Sequence, residues 1–370
     1  MKILQISTYY LPNFGGIEQV AYDFSRILKK QGNEVKVICF NTGKKTIVDS
    51  YDGVEVIRIG YIKKFASQAI SLKYLFLLKK IIKNFVPDVI HIHLPNPLIA
   101  TYLLLINANC KITLHWHSDI IKQKRLKQLY APFEKLLIKR ADKIIATSQI
   151  YAEKSESISG YLNKVSIIPN IVETEFLDNL SETDKKQISG IHKRFPGEKI
   201  IFSIGVHREY KGLRYLVEAA QYLTNEYVVI IAGKGPLTND LKQKANDLDL
   251  QNVFFIGRIS DEEKKQYLWA SDVYAFPSIT KNEAFGIALA EALYCGLPAV
   301  TFTIEGSGVN WVNQDGLTGI EIKEFDSKKY AKALMAVSKD QYGSNARKWI
   351  EEKFTEKAIS NSVKEFFYNI

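Results

Sequence analysis

Two glutamates, Glu283 and Glu291, stand eight residues apart in NEAFGIALAEALYCGLPAV, a segment whose other residues are mostly small or apolar. A solvated helix face would carry more charge, and a core helix would carry none. A carboxylate offers two acceptor oxygens side by side, which suits the vicinal hydroxyls of a sugar or a ribose. The pattern predicts a helix from about Phe285 to Cys295, stopped by Gly296 and Pro298. Eight helical residues rise on the order of 12 Å, comparable with the span from a hexose to a ribose across a pyrophosphate. A competing reading makes TKNE a capping box, with Thr280 as cap and Glu283 returning the bond. That accounts for Glu283 and leaves Glu291 unexplained.

Arg208 and Lys211, in SIGVHREYKGLRYLVEA, fall at the predicted start of another helix. Cations are disfavoured there by the helix dipole, unless an anion binds between them and the helix amides. In PNFGGIEQV, Gly15 and Gly16 lie between a strand and a helix. Paired glycines admit a phosphate to a helix N-terminus, although on its own a Gly-Gly pair is more often a plain turn. Four of the six histidines form HIH (His91, His93) and HWH (His115, His117), each closing a strand. Residues two apart on a strand share a face, so the pairs fit either a zinc site or polar groups lining a ligand cleft. No carboxylate or cysteine stands as an obvious further ligand, which favours the second. Asp247 and Asp249 in NDLDL read as surface residues at a helix–strand turn.

These residues need a scaffold, and the chain spells one. KILQIS is a strand, and GGIEQVAYDFSRILKKQGNEVKVICF is a glycine turn, an amphipathic helix and a second strand. SLKYLFLLKKIIKNFVPDVIHIH repeats the pattern, and CKITLHWH and KIIATS add strands. It restarts with KIIFSIG, YVVIIAGKG, VFFIG, DVYAFPS and PAVTF, each strand followed by helical sequence. Alternation of this kind means parallel βαβ units, hence α/β architecture with two Rossmann-like doubly wound domains and a ligand cleft between them. We place the boundary near 170–195, where DNLSETDKKQISG reads as polar and loose, and assign 1–172 and 173–350 to the two domains.

The 370 residues suit two domains, and 46% apolar content is enough for two cores, so disorder is excluded. The opening MKILQISTYYLPN lacks the apolar run of a secretory signal, and LIATYLLLI at 98–106 is too short to span a bilayer. Single cysteines at 39, 110 and 295 argue for a reducing compartment. Charge is uneven: residues 1–172 hold 25 Lys and Arg against 12 Asp and Glu, net +13, and the remainder 25 against 28, net −3. A basic first half implies an anionic partner, nucleic acid or lipid. The segments SLKYLFLLKKIIKNF and HSDIIKQKRLKQLYAPFEKLLIKRADK interleave lysines with large apolar residues, which tips the balance toward an anionic membrane surface.

Nearly end to end and in order, the motifs PNFGGIEQV, PDVIHIHLP, HWHSDI, IIPN, EYKG, IAGKGP, FIGRIS, ASDVYAFPS, EAFGIALAEALYCGLPAV and DGLTG resemble the retaining glycosyltransferases of family 4, which have the GT-B fold. The most specific piece is the E-x7-E pair. The resemblance implies that the second domain binds a nucleoside-diphosphate sugar and the first an acceptor. It implies that Glu291 holds the ribose, Glu283 the transferred sugar, and the amides of Phe285, Gly286 and Ile287 the sugar and phosphate. Lys211 would neutralise the leaving pyrophosphate, Gly15 and Gly16 would approach it, His117 would contact the sugar near the reacting carbon, and Arg258 would lie by the base. Many members have an arginine where this chain has Val206; Arg208, two residues on, is the candidate replacement. The helix at 351–370 would pack back on the first domain. EGSGVNWVN resembles members that build bacterial surface polysaccharides.

The expected enzyme is therefore a retaining hexosyltransferase without metal or cofactor, using a nucleotide sugar as substrate and a glycan, lipid-linked, as acceptor. It would be cytoplasmic and peripheral on the inner face of the cell membrane, with no nucleic-acid partner. A GT-B sugar-nucleotide epimerase and a soluble-glycan synthase or phosphorylase are the alternatives.

Overall fold

The computed structural model describes residues 1–13, 15–65, 68–120 and 124–370. The chain divides into two compact units: residues 1–171 together with 359–370, and residues 172–358.

In the first unit the strands are β1 (Lys2–Ile6), β2 (Glu34–Phe40), β3 (Ile47–Tyr51), β4 (Val54–Ile59), β5 (Lys63–Phe65), β6 (Gln68–Ile70), β7 (Val89–Leu94), β8 (Lys111–Trp116), β9 (Lys143–Ala146) and β10 (Val165–Ile167). Eight of them form one sheet in the order β10-β9-β8-β7-β1-β2-β4-β3; β5 and β6 make a separate hairpin. Every pairing in the large sheet is parallel except β3 on β4. The parallel strands are apolar on both faces because helices cover both. β7 is buried at all six positions, histidines included. The helix Gly16–Lys30 buries Val20, Phe24, Ile27 and Leu28 and ends in Lys29 and Lys30, which suit the negative end of its dipole.

In the second unit β11 (Lys199–Ile204), β12 (Tyr227–Ala232), β13 (Val253–Gly257), β14 (Val273–Phe276), β15 (Ala299–Phe302) and β16 (Gly319–Ile322) form an all-parallel sheet ordered β13-β12-β11-β14-β15-β16. The order reverses beside β11 and β14, the switch point where doubly wound sheets open a ligand crevice at the carboxyl ends of their strands. Phe202, Tyr274 and Phe276 pack on one face with Leu289, Leu293 and Phe354, and Ile201, Val229 and Val300 on the other with Leu216 and Tyr330. All three cysteines are free thiols.

Two boundary expectations need correction. The polar stretch at 178–190 is not a loose linker. Glu182–Arg194 is a helix, started by a capping box between Ser181 and Asp184. It is held to the helix Asp261–Ala270 by the buried Lys265–Asp184 ion pair at 2.8 Å. The last helix starts at Glu356, since the helix Lys339–Lys353 ends just before it; Gln31 Nε2 then donates to Ser360 Oγ at 3.1 Å.

Candidate active site

In the second unit the chain leaves β11 through Gly205 and Val206 into a short 3₁₀ turn, Glu209–Lys211, closed by Gly212 in the left-handed region at φ 59°. A side chain at Gly212 would put its Cβ 2.0 Å from the Pro277 carbonyl oxygen. The amide of Ile279 donates to the Tyr210 carbonyl at 3.0 Å. This close approach lays Lys211 against the loop that follows β14, which carries Glu283. Lys211 Nζ donates to Glu283 Oε2; the two side chains are only 16% and 13% exposed. The Lys211 ammonium also lies 5.2 Å from the Phe276 ring centroid. Burial works against its charge, but the Glu283 carboxylate and Tyr210 together reverse that and raise the lysine pKa above its ordinary value.

Glu283 is fixed from several sides. Ser278 Oγ donates to Oε2 at 3.3 Å, and Ser307 Oγ donates to the Glu283 carbonyl. The Gly308 amide bonds the Ala284 carbonyl at 2.9 Å. The EGSGVNWVN segment is thus a clamp on the Glu283 loop.

The helix after this loop is Ile287–Tyr294, shorter than the expected Phe285–Cys295. Its N-cap is Gly286 at φ 89°, a left-handed conformation that no helical residue adopts. Glu283 therefore precedes the helix by four residues. It is not the N3 residue of a capping box; its amide bonds the Thr280 carbonyl at 3.0 Å instead. The 12 Å helical rise between the two glutamates does not apply either. No side chain caps the helix, so the first amides after Gly286 lack a side-chain acceptor. Phe285 is buried with its ring edge-on to Phe354, centroids 5.3 Å apart.

Glu291 sits mid-helix. Its Oε1 accepts from Lys264 Nζ at 2.8 Å, with side-chain exposures of 15% and 17%. Lys264 lies 3.2 Å from Asp261 as well. Burial opposes the Lys264 charge, and Glu291 and Asp261 together reverse the effect and raise its pKa. The motif glutamates thus each hold a lysine: Lys211, which the sequence singled out, and Lys264, which it did not. Lys264 comes from a different helix 27 residues upstream, and only the packing of Asp261–Ala270 brings it here. Arg208 is the exposed N-cap of the 3₁₀ turn, beside exposed Val206, and Arg258 is exposed just after β13.

In the first unit His91 and His93 on β7 lie beside Thr113 and His115 on β8, in register. His91, His93 and His115 are 0–1% exposed, and His117, just past the end of β8, is 7% exposed. His93 Nδ1 is 2.9 Å from His117 Nε2, and His91 Nδ1 is 2.7 Å from Thr113 Oγ1. The His115 and His117 rings stack at 4.2 Å and 12°, and the His93 and His115 rings at 4.9 Å and 23°. Burial pushes His117 and His91 down to about 3, and His93 and His115 well below their ordinary value. All four are neutral imidazoles at neutral pH.

Ring nitrogens of His91, His93 and His115 lie within 4.8 Å of one another. Tetrahedral zinc needs donor nitrogens roughly 3.3 Å apart with convergent lone pairs. The near-parallel planes of His93 and His115 direct their lone pairs side by side, not inward, and His91 spends Nδ1 on Thr113. As packed, the cluster suits stacking better than metal ligation.

Gly15 is the exposed, extended N-cap of the helix that Gly16 begins. A Cβ on Gly15 would meet Glu18 Oε2 at 2.2 Å, so the Glu18 carboxyl folds back over this helix start. Its burial raises its pKa. Nothing in the sequence reading marked Glu18. Asp119, two residues past His117, is fully engaged: Trp116 Nε1 and Ser155 Oγ donate to Oδ1 at 2.9 and 2.6 Å, and the Glu156 amide to Oδ2 at 3.0 Å. It anchors the loop that carries His117. Part of the basic run expected to meet a membrane, residues 121–123, lies outside the described residues.

Comparison with known proteins matches two family models, Glycosyltransferase Family 4 over residues 14–176 and Glycosyl transferases group 1 over 184–356. The chain is 32% identical to O-antigen chain mannosyltransferase C of Escherichia coli, over 96% of this chain and 95% of that one. The chain belongs to the glycosyltransferases. Another relative, D-rhamnosyltransferase WbpZ of Pseudomonas aeruginosa, is 29% identical over 96% of this chain and 92% of its own. Among solved structures, Anabaena HepE in complex with UDP-glucose superposes with a TM-score of 0.81 at 19% identity, covering all of both chains. That likeness gives the fold, GT-B. In family terms, the unit with Lys211, Glu283 and Glu291 is the one matched by the group 1 model, and the unit with the histidines is the one matched by the family 4 model.

Proposed function

We propose that this glycosyltransferase is a retaining hexosyltransferase of bacterial surface polysaccharide synthesis, moving a hexose from a nucleoside-diphosphate sugar to a lipid-linked glycan. The observation that carries the reading is the pair of half-buried ion pairs, Lys211–Glu283 and Lys264–Glu291, on either side of the uncapped start of the helix Ile287–Tyr294. Two carboxylates and two lysines around free helix amides match a ligand with hydroxyls at both ends and a diphosphate between. Glu291 holds the ribose and Glu283 the hexose. The amides of Phe285, Gly286 and Ile287 meet the sugar and phosphate. Arg258 lies by the base, and Arg208 assists at the phosphate in place of an arginine at 206.

As the bond from the hexose to the diphosphate breaks, negative charge grows on the leaving group. Lys211 is held charged and in place before the substrate arrives, so no reorganisation is needed at that moment. A protein cation in this role is the basis for metal-independent transfer. Gly15 and Gly16 serve the diphosphate, and His117 contacts the hexose. HepE, in complex with UDP-glucose, supports the donor class. A UDP-Gal:alpha-D-GlcNAc-diphosphoundecaprenol alpha-1,3-galactosyltransferase of Escherichia coli, 27% identical over 92% of this chain, supports the lipid-linked acceptor.

Among the described residues no helix is long and apolar enough to cross a membrane. Peripheral attachment is favoured by the first unit's surface. Leu129, Phe133 and Leu136 are 44–72% exposed on one stripe of the helix Lys124–Arg140, among exposed Lys135 and Lys139. Leu72 and Phe76 are exposed on the helix Leu72–Phe85, with Lys73, Lys79, Lys80 and Lys83. The helix Pro97–Leu105 packs against both.

The test is nucleoside-diphosphate release from a panel of UDP-, GDP- and dTDP-sugars in EDTA, with and without extracted bacterial lipid-linked glycans, followed by anomeric analysis of the product. Extract-dependent release from one donor, abolished in Glu291→Ala and Lys211→Ala, is the expected result. Turnover that needs added divalent metal, or variants equal to wild type, would overturn it.

A further inference from the structure

The four histidines form a file from the core to the surface. Three are closed off, and His117 alone retains exposed surface. Among the described residues, the His117 ring hydrogen-bonds through Nε2 to His93 Nδ1 at 2.9 Å. Both rings are neutral, so one proton lies between these two nitrogens, and its owner decides what His117 presents at its other nitrogen.

The surroundings of His93 settle the owner. His93 Nε2 is buried and has no hydrogen-bond partner. If His93 carried its proton there, a buried N–H would be orphaned, which costs the full desolvation of a donor. With the proton on Nδ1, that N–H is satisfied by His117, and only a bare lone pair is left at Nε2, the cheaper loss. His93 therefore donates and His117 Nε2 accepts. His117 must then carry its own proton on Nδ1. The stacked His115 ring, 4.2 Å from His117 and 4.9 Å from His93, holds both planes against rotation, and the Phe24 ring edge backs His115 at 4.7 Å.

We propose that His93 is a positioning residue that locks His117 in the Nδ1–H tautomer, so that His117 offers a neutral hydrogen-bond donor to an oxygen of the transferred sugar. The part about the sugar rests on the reading of His117 given under the proposed function; the tautomer lock does not. A neutral donor orients a hydroxyl without placing a cation where positive character grows on the sugar carbon. The other tautomer would offer an acceptor lone pair at the same point.

The test separates the two parts. In full-length protein labelled with ¹⁵N-histidine, long-range proton–nitrogen correlation reports which imidazole nitrogen carries the proton, with signals assigned by single His variants. The expected wild-type result is Nδ1–H for His117. His93→Phe keeps a stacked ring without a donor and is expected to shift His117 toward Nε2–H. His93→Asn places an amide donor near the old Nδ1 and is expected to restore Nδ1–H. In donor turnover His93→Phe should lower kcat on the order of tenfold to a hundredfold, with donor KM nearly unchanged. An Nε2–H signal for His117 in wild type, or an unaltered Nδ1–H signal in His93→Phe, would overturn the lock. Should His93→Phe fail to fold, the wild-type and His93→Asn spectra decide. A correct tautomer together with full activity in His117→Ala would leave the lock standing and remove the sugar contact.

Discussion

Lys211 and Glu283, 72 residues apart in sequence, share a hydrogen bond in a site where neither side chain is more than 16% exposed. They meet because Gly212 lets the turn after β11 press against the loop after β14. Truncating one partner leaves the other charge half-buried and alone, which costs more than the pair contributes. We expect Lys211→Ala to lower kcat by roughly 10²–10³, the magnitude seen for loss of one preorganised electrostatic contact. Steady-state turnover with saturating donor checks this. The pair also sets a pH signature. A lysine whose folded pKa is raised contributes stability that is complete below the ordinary lysine value of 10.5 and lost as pH rises through the folded value. Melting temperature should therefore show no pH dependence from this pair between pH 7 and pH 9, where its contribution is complete, and should fall in the alkaline range, with a shallower fall in Lys211→Met.

Lys264 and Glu291 form the second pair, and their separation from Lys211 predicts a different kinetic effect. If Glu291 serves the ribose, Lys264 only orients it. Lys264→Ala should raise the dissociation constant of the bare nucleoside diphosphate on the order of tenfold and leave kcat close to wild type. Titration calorimetry with UDP, GDP and dTDP measures it directly. A fall in kcat with unchanged nucleotide affinity would place Lys264 on the sugar side instead.

The parallel α/β units were legible because strand and helix periodicities repeat twice along the chain. The helix start near Glu283 was misread because small apolar residues fit a helix, and the sequence carries no mark that Gly286 takes φ 89°. The segment at 178–190 reads as linker by composition, yet its stability comes from Ser181 capping and from Lys265, 81 residues beyond Asp184. Lys264 and Glu18 were invisible for the same reason. A surface-type lysine in DEEKK, or a glutamate in a helix's first turn, gains its role only through the neighbour that packing supplies.

The buried histidines make stability sensitive to acid. Burial lowers His91 and His117 from an ordinary value near 6.5 to about 3, and holds His93 and His115 well below that ordinary value too. The unfolded chain takes up protons below about 6.5 that the folded chain refuses, so stability is complete above that pH and drains away as pH falls toward 3. Each such histidine contributes a slope of about 1.4 kcal/mol per pH unit in that window. Denaturant midpoints between pH 7.5 and 4.5 should fall steeply, and less steeply in His115→Phe. A flat profile would mean that the cluster protonates without opening.

Gly212 tests the backbone approach itself. Its φ of 59° and the 2.0 Å gap between a Cβ and the Pro277 carbonyl leave no room for alanine. Gly212→Ala must push the 3₁₀ turn away from the loop after β14, at a cost of roughly 1–3 kcal/mol in strain. It should also separate Lys211 from Glu283. The expected result is a lowered denaturation midpoint together with a turnover loss approaching that of Lys211→Ala. Gly316, with φ 73° but nothing within 4 Å of its Cβ, is the control: Gly316→Ala should cost stability through φ alone and leave turnover intact.

The apolar stripe of Leu129, Phe133 and Leu136 stands exposed on a helix rich in lysine, in the half of the chain with net charge +13. Lysines draw the surface to anionic lipid, and inserted leucine and phenylalanine side chains hold it there. The two contributions respond differently to salt. Raising ionic strength from 0.1 to 0.5 M screens the lysines and should reduce binding to vesicles containing anionic phospholipid, since the Debye length falls below about 5 Å. Phe133→Glu should weaken binding at every salt concentration, because it removes buried apolar area and adds a like charge to the membrane's own. Turnover with acceptor dispersed in detergent, away from any vesicle, should be the same in this variant as in wild type. Co-sedimentation with anionic and with neutral vesicles distinguishes the cases: equal binding of wild type and Phe133→Glu to anionic vesicles would show that this stripe does not meet the membrane.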